Sequence, residues 1–419
     1  MTPLTTRVRA GYATGSLVTG AFGTVPGLLL LPYLTDRLAV PAAVAGLLVL
    51  APKAWDVLFN PVAGRISDRA GVRRPFLLRG GIAVAVLFAL LFAGPFTGAA
   101  GAVYVAVVFL LCATAYAFFQ VPYVAMAAEI TEDYDERTRL MAWRITFLAL
   151  AILVSGAGAP AVRDLTGGYA PMGVAVGALI LVGTVVTVLG TRDVARHVPA
   201  AAGLRELVGA VRESRAFRLL LAVFVVQAVG LGTMLAGVDY FARLVLGDQS
   251  LQTLLFVGFV GPALVVMPLW QRVGRRRGKR FGLVVASLLF AAAVVGLTAS
   301  RALPVAAVLA LMAVIGVGYA GMQVFPLAML PDVITAQERR SGSTRAGLFS
   351  GVWTAGETLG LALGPGVYGL VLGLGGYVAG TGDAVQPDSA VTAALLGFTA
   401  LPALLVVLAL PLLPREETG

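Results

Sequence analysis

The chain has 419 residues, of which 59% are hydrophobic and only 12% charged, and its mean hydropathy is +0.91. A water-soluble domain carries charge on about a quarter of its residues, so this composition excludes an ordinary soluble globular protein and points to an integral membrane chain. The formal charge of +10 at pH 7 then reads as topology and as attraction to anionic lipid headgroups, with no nucleic-acid partner.

Apolar runs of roughly 20 residues, long enough to cross the hydrocarbon core as a helix, recur twelve times along the chain. They fall at 11–34, 41–63, 76–98, 101–128, 140–162, 169–191, 217–246, 251–270, 281–300, 303–330, 346–375 and 390–413. Span 1 follows MTPLTTRVRA; it is too long for a signal peptide and leads directly into span 2, so it is expected to stay in the membrane. Span 2 contains PKAWDVLFNP, in which Lys53, Asp56 and Asn60 are spaced i, i+3, i+7 and share one helix face, bracketed by Pro52 and Pro61. An ion at the bilayer centre costs roughly 2.5–3.5 kcal/mol. That face is therefore expected to turn toward other helices or a wet cavity, where Arg144 of span 5 can reach it. Two readings stay open: ions that line a transport path, or a Lys53–Asp56 pair that only locks helices together.

Span 4 holds the single Cys112, which has no partner for an internal disulfide and reads as a small packing residue. After span 6, the segment 192–216 is polar with an amphipathic middle, as expected of a cytoplasmic linker; its His197, the only histidine, reads as a solvated loop residue. Gln227 and Asp239 in span 7 and Gln323 in span 10 are polar intrusions into apolar runs. GRRRGKR (274–280) lies between two spans, which makes it a basic membrane-flanking loop. In span 11, Trp353, Thr354 and Glu357 share one side, as a cavity wall would, while Gly356, Gly360 and Gly364 repeat every four residues and allow close helix approach.

Of the 31 Lys and Arg residues, all but six fall at the termini, in the connections after even-numbered spans or at the span ends that adjoin those connections. Basic loops stay in the cytoplasm, so both termini are expected there. The chain also repeats itself. RISDRAGVRRPF after span 2 corresponds to QRVGRRRGKRF after span 8, and EITEDYDERTRLMAWR (129–144) to LPDVITAQERRSGSTRAG (330–347). The expected organisation is an all-α membrane protein of twelve transmembrane helices: a six-helix bundle at 1–191, a linker at 192–216 and a second six-helix bundle at 217–419. Two such bundles related by an axis along the membrane normal are the architecture of major facilitator transporters. GRISDRAGVRR (64–74) resembles the signature of that superfamily between its second and third helices.

A narrower resemblance rests on KAWDVLFNP (53–61), QVPYVAMAAEITEDYDERTRLMAWR (120–144) and RAGLFSGVWTAGETLGLALGP (345–365). Together, and in this order, they are similar to the glycoside–pentoside–hexuronide:cation symporters, the melibiose permease-like family. The resemblance implies that Lys53, Asp56 and Arg144 match intramembrane basic, acidic and basic positions, with Asp56 and Asn60 at the cation-coupling site. It implies gating by Asp68, Arg69 and Arg73 of one cytoplasmic loop and by Asp135 and Arg137 of another. The substrate positions it implies are Lys53, Gly20, Gln120, Val124, Arg144, Trp353, Glu357 and Thr358.

The departures from that pattern carry chemical weight. Asn60 stands where the family commonly has a second aspartate, and a sodium ion wants about six hard oxygen ligands. One carboxylate suffices for a proton, so H+ is expected rather than Na+, with no other cofactor. Gly20 and Gln120 replace sugar-binding aspartates, Val124 replaces a stacking tryptophan, and Thr358 replaces a lysine. No Walker-type loop, His-rich metal cluster or Ser/His/Asp set is present, so the chain is not expected to be an enzyme. The expectation is a secondary active transporter of a small organic solute, with an exporter of an amphipathic metabolite or drug, or a lysolipid transporter, as the alternatives. It is expected to act as a monomer in a bacterial cytoplasmic membrane.

Overall fold

The computed structural model describes residues 4–70, 72–131, 133–191, 214–341, 346–380 and 384–413. Residues 192–213 of the expected linker, with His197, lie outside the described residues, as do the side chains of Asp68, Asp135 and Arg137. Among the described residues the secondary structure is helical, without strands. This is the solution membranes impose, because a helix satisfies its own backbone polar groups where no water can.

In the first half the helices are α1 (Thr6–Thr14), α2 (Ser16–Pro32), α3 (Ala42–Ala70), α4 (Arg74–Leu91), α5 (Gly98–Ile130), α6 (Tyr134–Thr166) and α7 (Tyr169–Gly190). The second half has α8 (Arg215–Tyr240), α9 (Leu251–Val265), α10 (Met267–Arg277), α11 (Lys279–Gly296), α12 (Val305–Ser341), α13 (Ala346–Leu374), α14 (Asp388–Phe398) and α15 (Ala400–Ala409). Eleven segments are each long and apolar enough to cross a membrane, and α9 with α10 forms a twelfth, bent by 50°. The bend has a local cause: Pro268, at the start of α10, has no N–H to give to the carbonyl of Leu264 and its ring crowds that oxygen.

Three helix starts are closed by side-chain caps. Thr5 Oγ1 accepts from Val8 N, Asp133 Oδ1 from Glu136 N and Ser214 Oγ from Phe217 N. At the end of α6, Gly167 takes φ +69° and closes the helix. Pro52 and Pro61 lie inside a continuous α3, leaving the carbonyls of Leu48 and Val57 without their helical donors.

The chain divides into two compact units, one of Met1–Pro41, Leu48–Ala201 and Ala379–Ala384, the other of Ala42–Leu47, Ala202–Val378 and Val385–Gly419. In the first unit α2 packs on α6, α4 on α5, and α4 on α7. In the second, α8 packs on α13, α11 on α12, and α11 on α15. These are the same three pairings in order, so the repeat seen in the loops extends to the cores.

The repeat reaches single backbone bonds. The first span of each half ends in a π-helical turn, Tyr33–Arg37 and Phe241–Val245. Leu38 N donates to Tyr33 O at 3.1 Å and Val40 N to Leu34 O at 2.9 Å; in the second half Leu246 N donates to Phe241 O at 3.1 Å and Asp248 N to Ala242 O at 3.0 Å. The corner residue has positive φ in both, +54° at Ala39 and +77° at Gly247.

Candidate functional site

The intramembrane charges of the first unit form its most unusual feature. Asp56 is 4% exposed, and its Oδ1 is buried without a hydrogen-bond partner. Lys53, one turn earlier on α3, points its ammonium at the face of Phe22 in α2, 4.2 Å from the ring centroid. The ring quadrupole attracts a cation there, and Phe22 is itself stacked on Tyr116 at 4.1 Å. Among the described residues neither Lys53 nor Asp56 makes an ion pair within 4.0 Å. Lys53 and Asp56 thus lie within electrostatic reach of each other without direct contact: the cation rests on a ring and Asp56 Oδ1 has no hydrogen-bond partner. Asn60 follows one turn after Asp56 and is half-buried.

Arg144 of α6 does not bond Asp56. Its guanidinium lies 5.4 Å from the centre of the Tyr123 ring, with Nε buried and unpartnered. Tyr123 is a fixed platform: its hydroxyl donates to Tyr12 O at 2.8 Å, lies 3.2 Å from Ser16 Oγ, and its ring stacks on Tyr12 at 4.8 Å. Ser16 Oγ in turn donates to Arg144 O at 3.0 Å. Tyr123 packs where α1 gives way to α2, at Gly15; a side chain at Gly15 would overlap its ring. Tyr116 lies within electrostatic reach of both Asp56 and Arg144, so the three ions belong to one region.

The positions that replace sugar ligands divide into two kinds. Gln120 is half-buried and accepts from Thr19 Oγ1 at 2.8 Å. Val124 is 45% exposed. Gly20 is not open to a ligand: a Cβ built there comes within 2.6 Å of Ala151 Cβ and 3.2 Å of Ile152 N. It is the close-approach point of α2 and α6, which corrects the expectation that it faces the solute.

In the second unit, Glu357 Oε1 accepts from Gln323 Nε2 at 3.4 Å, and the same nitrogen donates to Tyr319 Oη at 3.1 Å. Trp353 is 2% exposed and stacks on Phe224 at 4.3 Å, so it supports the wall from behind and is not its surface. Thr358 Oγ1 returns its proton to Thr354 O at 2.9 Å, one turn back along its own helix. Gln227 is buried and donates to Ser287 Oγ at 3.0 Å; Asp239 is buried and held by Gln249 Nε2 at 3.2 Å and Arg243 Nε at 3.6 Å.

Of the expected gating residues, Arg73 is the one the structure ties down. It is 8% exposed; its Nε donates to Glu129 Oε1 at 3.0 Å and its Nη1 to Ser67 Oγ at 2.8 Å. Arg69 is exposed. Sequence reading missed Glu129 and also the Arg9–Glu136 pair at 2.8 Å, which fastens the start of α6 to α1. The signal for Glu129 was present in its placement: a carboxylate on the last apolar turn of a span needs a cation, and the loop after span 2 supplies one.

Residues 11–415 match the family described as MFS/sugar transport protein. A putative glycoside/cation symporter of Escherichia coli (strain K12) is 28% identical over 97% of this chain and 90% of its own length. A glucuronide carrier protein homolog from the same organism is 26% identical over 90% of this chain and 85% of its own. The structure of a bacterial homolog of the human lysosomal transporter Spinster, in an inward-facing and occupied conformation, superposes with a TM-score of 0.75 at 13% identity. That match covers 97% of this chain and 95% of the other. The chain belongs to the MFS/sugar transport protein family: it is a multi-pass membrane transporter with the major facilitator fold, and its family is one of transporters, not enzymes.

Proposed function

We propose that this MFS/sugar transport protein is a secondary active transporter that moves a small organic anion together with a proton by alternating access. The observation that carries the reading is the absence, among the described residues, of any ion pair at Lys53, Asp56 or Arg144. Two cations and one carboxylate leave this site with an excess positive charge, and an ion in a membrane span without a partner is unfavourable. An anionic group on the solute would complete the site. A proton on Asp56 would raise the excess from one positive charge to two, so proton and anion favour each other's binding, which is how symport arises from linkage.

Asp56 is the coupling residue in this reading and Asn60 its neighbour; Lys53, Arg144 and Gln120 hold the solute. Sodium is disfavoured because Asp56 and Asn60 offer one carboxylate and one amide, where a sodium ion wants about six hard oxygen ligands. The relatives described as a glycoside/cation symporter and a glucuronide carrier homolog support a cation-coupled sugar-like solute, and a glucuronide carries the required carboxylate. An amphipathic anion, such as a lysolipid, is the second reading, favoured by exposed Val124 in place of an aromatic sugar platform. The reading includes a monomer in a bacterial inner membrane, in contact with its lipids, with both termini cytoplasmic as the basic loops require.

The test is a matched pair of solutes: 4-nitrophenyl glucuronide and 4-nitrophenyl glucoside, which differ in one carboxylate, with octanesulfonate and octanol as the amphipathic pair. The anion of at least one pair is expected to raise the unfolding temperature of the purified protein and its neutral partner is not. Equal effects within both pairs, or none, would overturn the reading. Stabilisation by sodium would overturn the choice of coupling ion.

A further inference from the structure

The second unit contains a titratable group that this mechanism does not use. Glu357 faces a cavity of about 20 Å³, walled by Phe224, Gln227 and Leu231 of α8, Tyr319 and Gln323 of α12, and Leu361. That volume admits one water molecule. Among the described residues no lysine, arginine or histidine forms an ion pair with Glu357. Its own helix offers Thr358, whose proton is committed to Thr354 O. From α12 it meets Gln323 and Tyr319, and it shares the cavity with Gln227 of α8; none of these carries a charge at neutral pH.

One acceptor in the cavity is unmet. Gln227 Nε2 donates to Ser287 Oγ, while its Oε1 is buried with no donor. Gln323 Nε2 gives one N–H to Tyr319 Oη and the other to Glu357 Oε1, the latter at 3.4 Å. An ionised Glu357 would rest on that one long bond, with no cation paired to it among the described residues. A neutral carboxylic acid adds a donor, directed at Gln227 Oε1 through the single water the cavity admits.

We propose that Glu357 is a second proton-binding site, independent of Asp56, that holds its proton as a neutral acid hydrogen-bonded toward Gln227. The step is a simple proton transfer: the O–H bond at Glu357 breaks, the proton passes to the cavity water, and the carboxylate remains. The ionised form is left with one N–H of Gln323 and the cavity water, and the approach of a cation would favour it.

Infrared difference spectroscopy of the protein in nanodiscs, titrated across pH, reads protonated carboxyl groups directly through their carbonyl stretch. The wild type is expected to show one band that disappears in Glu357→Gln and a separate band that disappears in Asp56→Asn. Loss of the second band alone would overturn the Glu357 assignment and leave the Asp56 reading intact; loss of the first alone would do the reverse. Should Glu357→Gln unfold, Gln227→Leu serves instead: removing the acceptor is expected to shift the Glu357 band in frequency and leave the Asp56 band in place. An unmoved band would overturn the proposal.

Discussion

Arg73 and Glu129 form an ion pair inside the first unit, Nε to Oε1 3.0 Å, with both side chains under a tenth exposed. The second unit has a counterpart in the loop after its own second span: Lys279 reaches Asp332 Oδ2 at 2.5 Å and the carbonyl of Ala328 at 2.9 Å. The difference is solvent. Lys279 and Asp332 are 41% and 62% exposed, so one device, repeated by the fold, has unequal worth in the two halves.

Removing one partner of the buried pair strands the other, which costs about 3–5 kcal/mol. Glu129→Gln and Arg73→Met are each expected to lower stability markedly in thermal unfolding, and Arg73→Met combined with Glu129→Leu to recover most of the loss. Lys279→Met is expected to cost about 1 kcal/mol or less. Equal losses in the two units would contradict the burial argument.

Asp56→Asn keeps the size of the side chain and removes its proton chemistry. Solute accumulation driven by an acidic exterior is expected to vanish, while exchange of labelled for unlabelled solute across proteoliposomes persists. Proton-driven accumulation that survives in the variant would remove Asp56 from the coupling step.

Lys53→Gln and Arg144→Gln each delete one candidate anion contact. A hydrogen bond to a charged group contributes about 1.5–3 kcal/mol, so the dissociation constant of an anionic solute is expected to rise roughly ten- to hundredfold in each variant. Binding of a neutral analogue should be little changed, and parallel losses for both would point to general disruption of the site.

Ala39 holds φ +54° without glycine's freedom. A left-handed backbone costs a residue with a Cβ roughly 1–2 kcal/mol, partly offset by the extra unfolded-state entropy of glycine. Ala39→Gly is expected to stabilise by about 0.5–1 kcal/mol and Gly247→Ala to destabilise, both read by thermal unfolding. A destabilising Ala39→Gly would show that the methyl group packs usefully.

Gly20→Asp introduces the aspartate that the resemblance to sugar:cation symporters implies for this position. Overpacking a close contact costs about 1–3 kcal/mol, and Ala151 and Ile152 already fill the space. The variant is expected to lose stability without gaining affinity for a neutral disaccharide, as measured by equilibrium binding.

The twelve spans were legible because hydrocarbon thickness sets a length that hydropathy reports, and the repeat because its loops carry recognisable charge. Helix ends were less so. Span 5 was expected from 140 and span 10 to 330, yet α6 begins at Tyr134 and α12 runs to Ser341; both helices extend on polar residues past the apolar stretch that hydropathy detects. In the site, the spacing of Lys53, Asp56 and Asn60 placed them on one face, but spacing says nothing about what stands opposite. Phe22 under the ammonium, Tyr123 under Arg144 and Ala151 against Gly20 come from other helices, and only the tertiary fold brings them there.

The ammonium of Lys53 over Phe22 also bears on how fast such a protein can work. Separating a buried ion pair during each cycle would add several kcal/mol to the barrier, and each 1.4 kcal/mol is about a tenfold loss of rate. Leaving an aromatic face costs only about 0.5–2 kcal/mol. In the proposed cycle a charge resting on a ring therefore meets a smaller barrier to departure than one held in an ion pair.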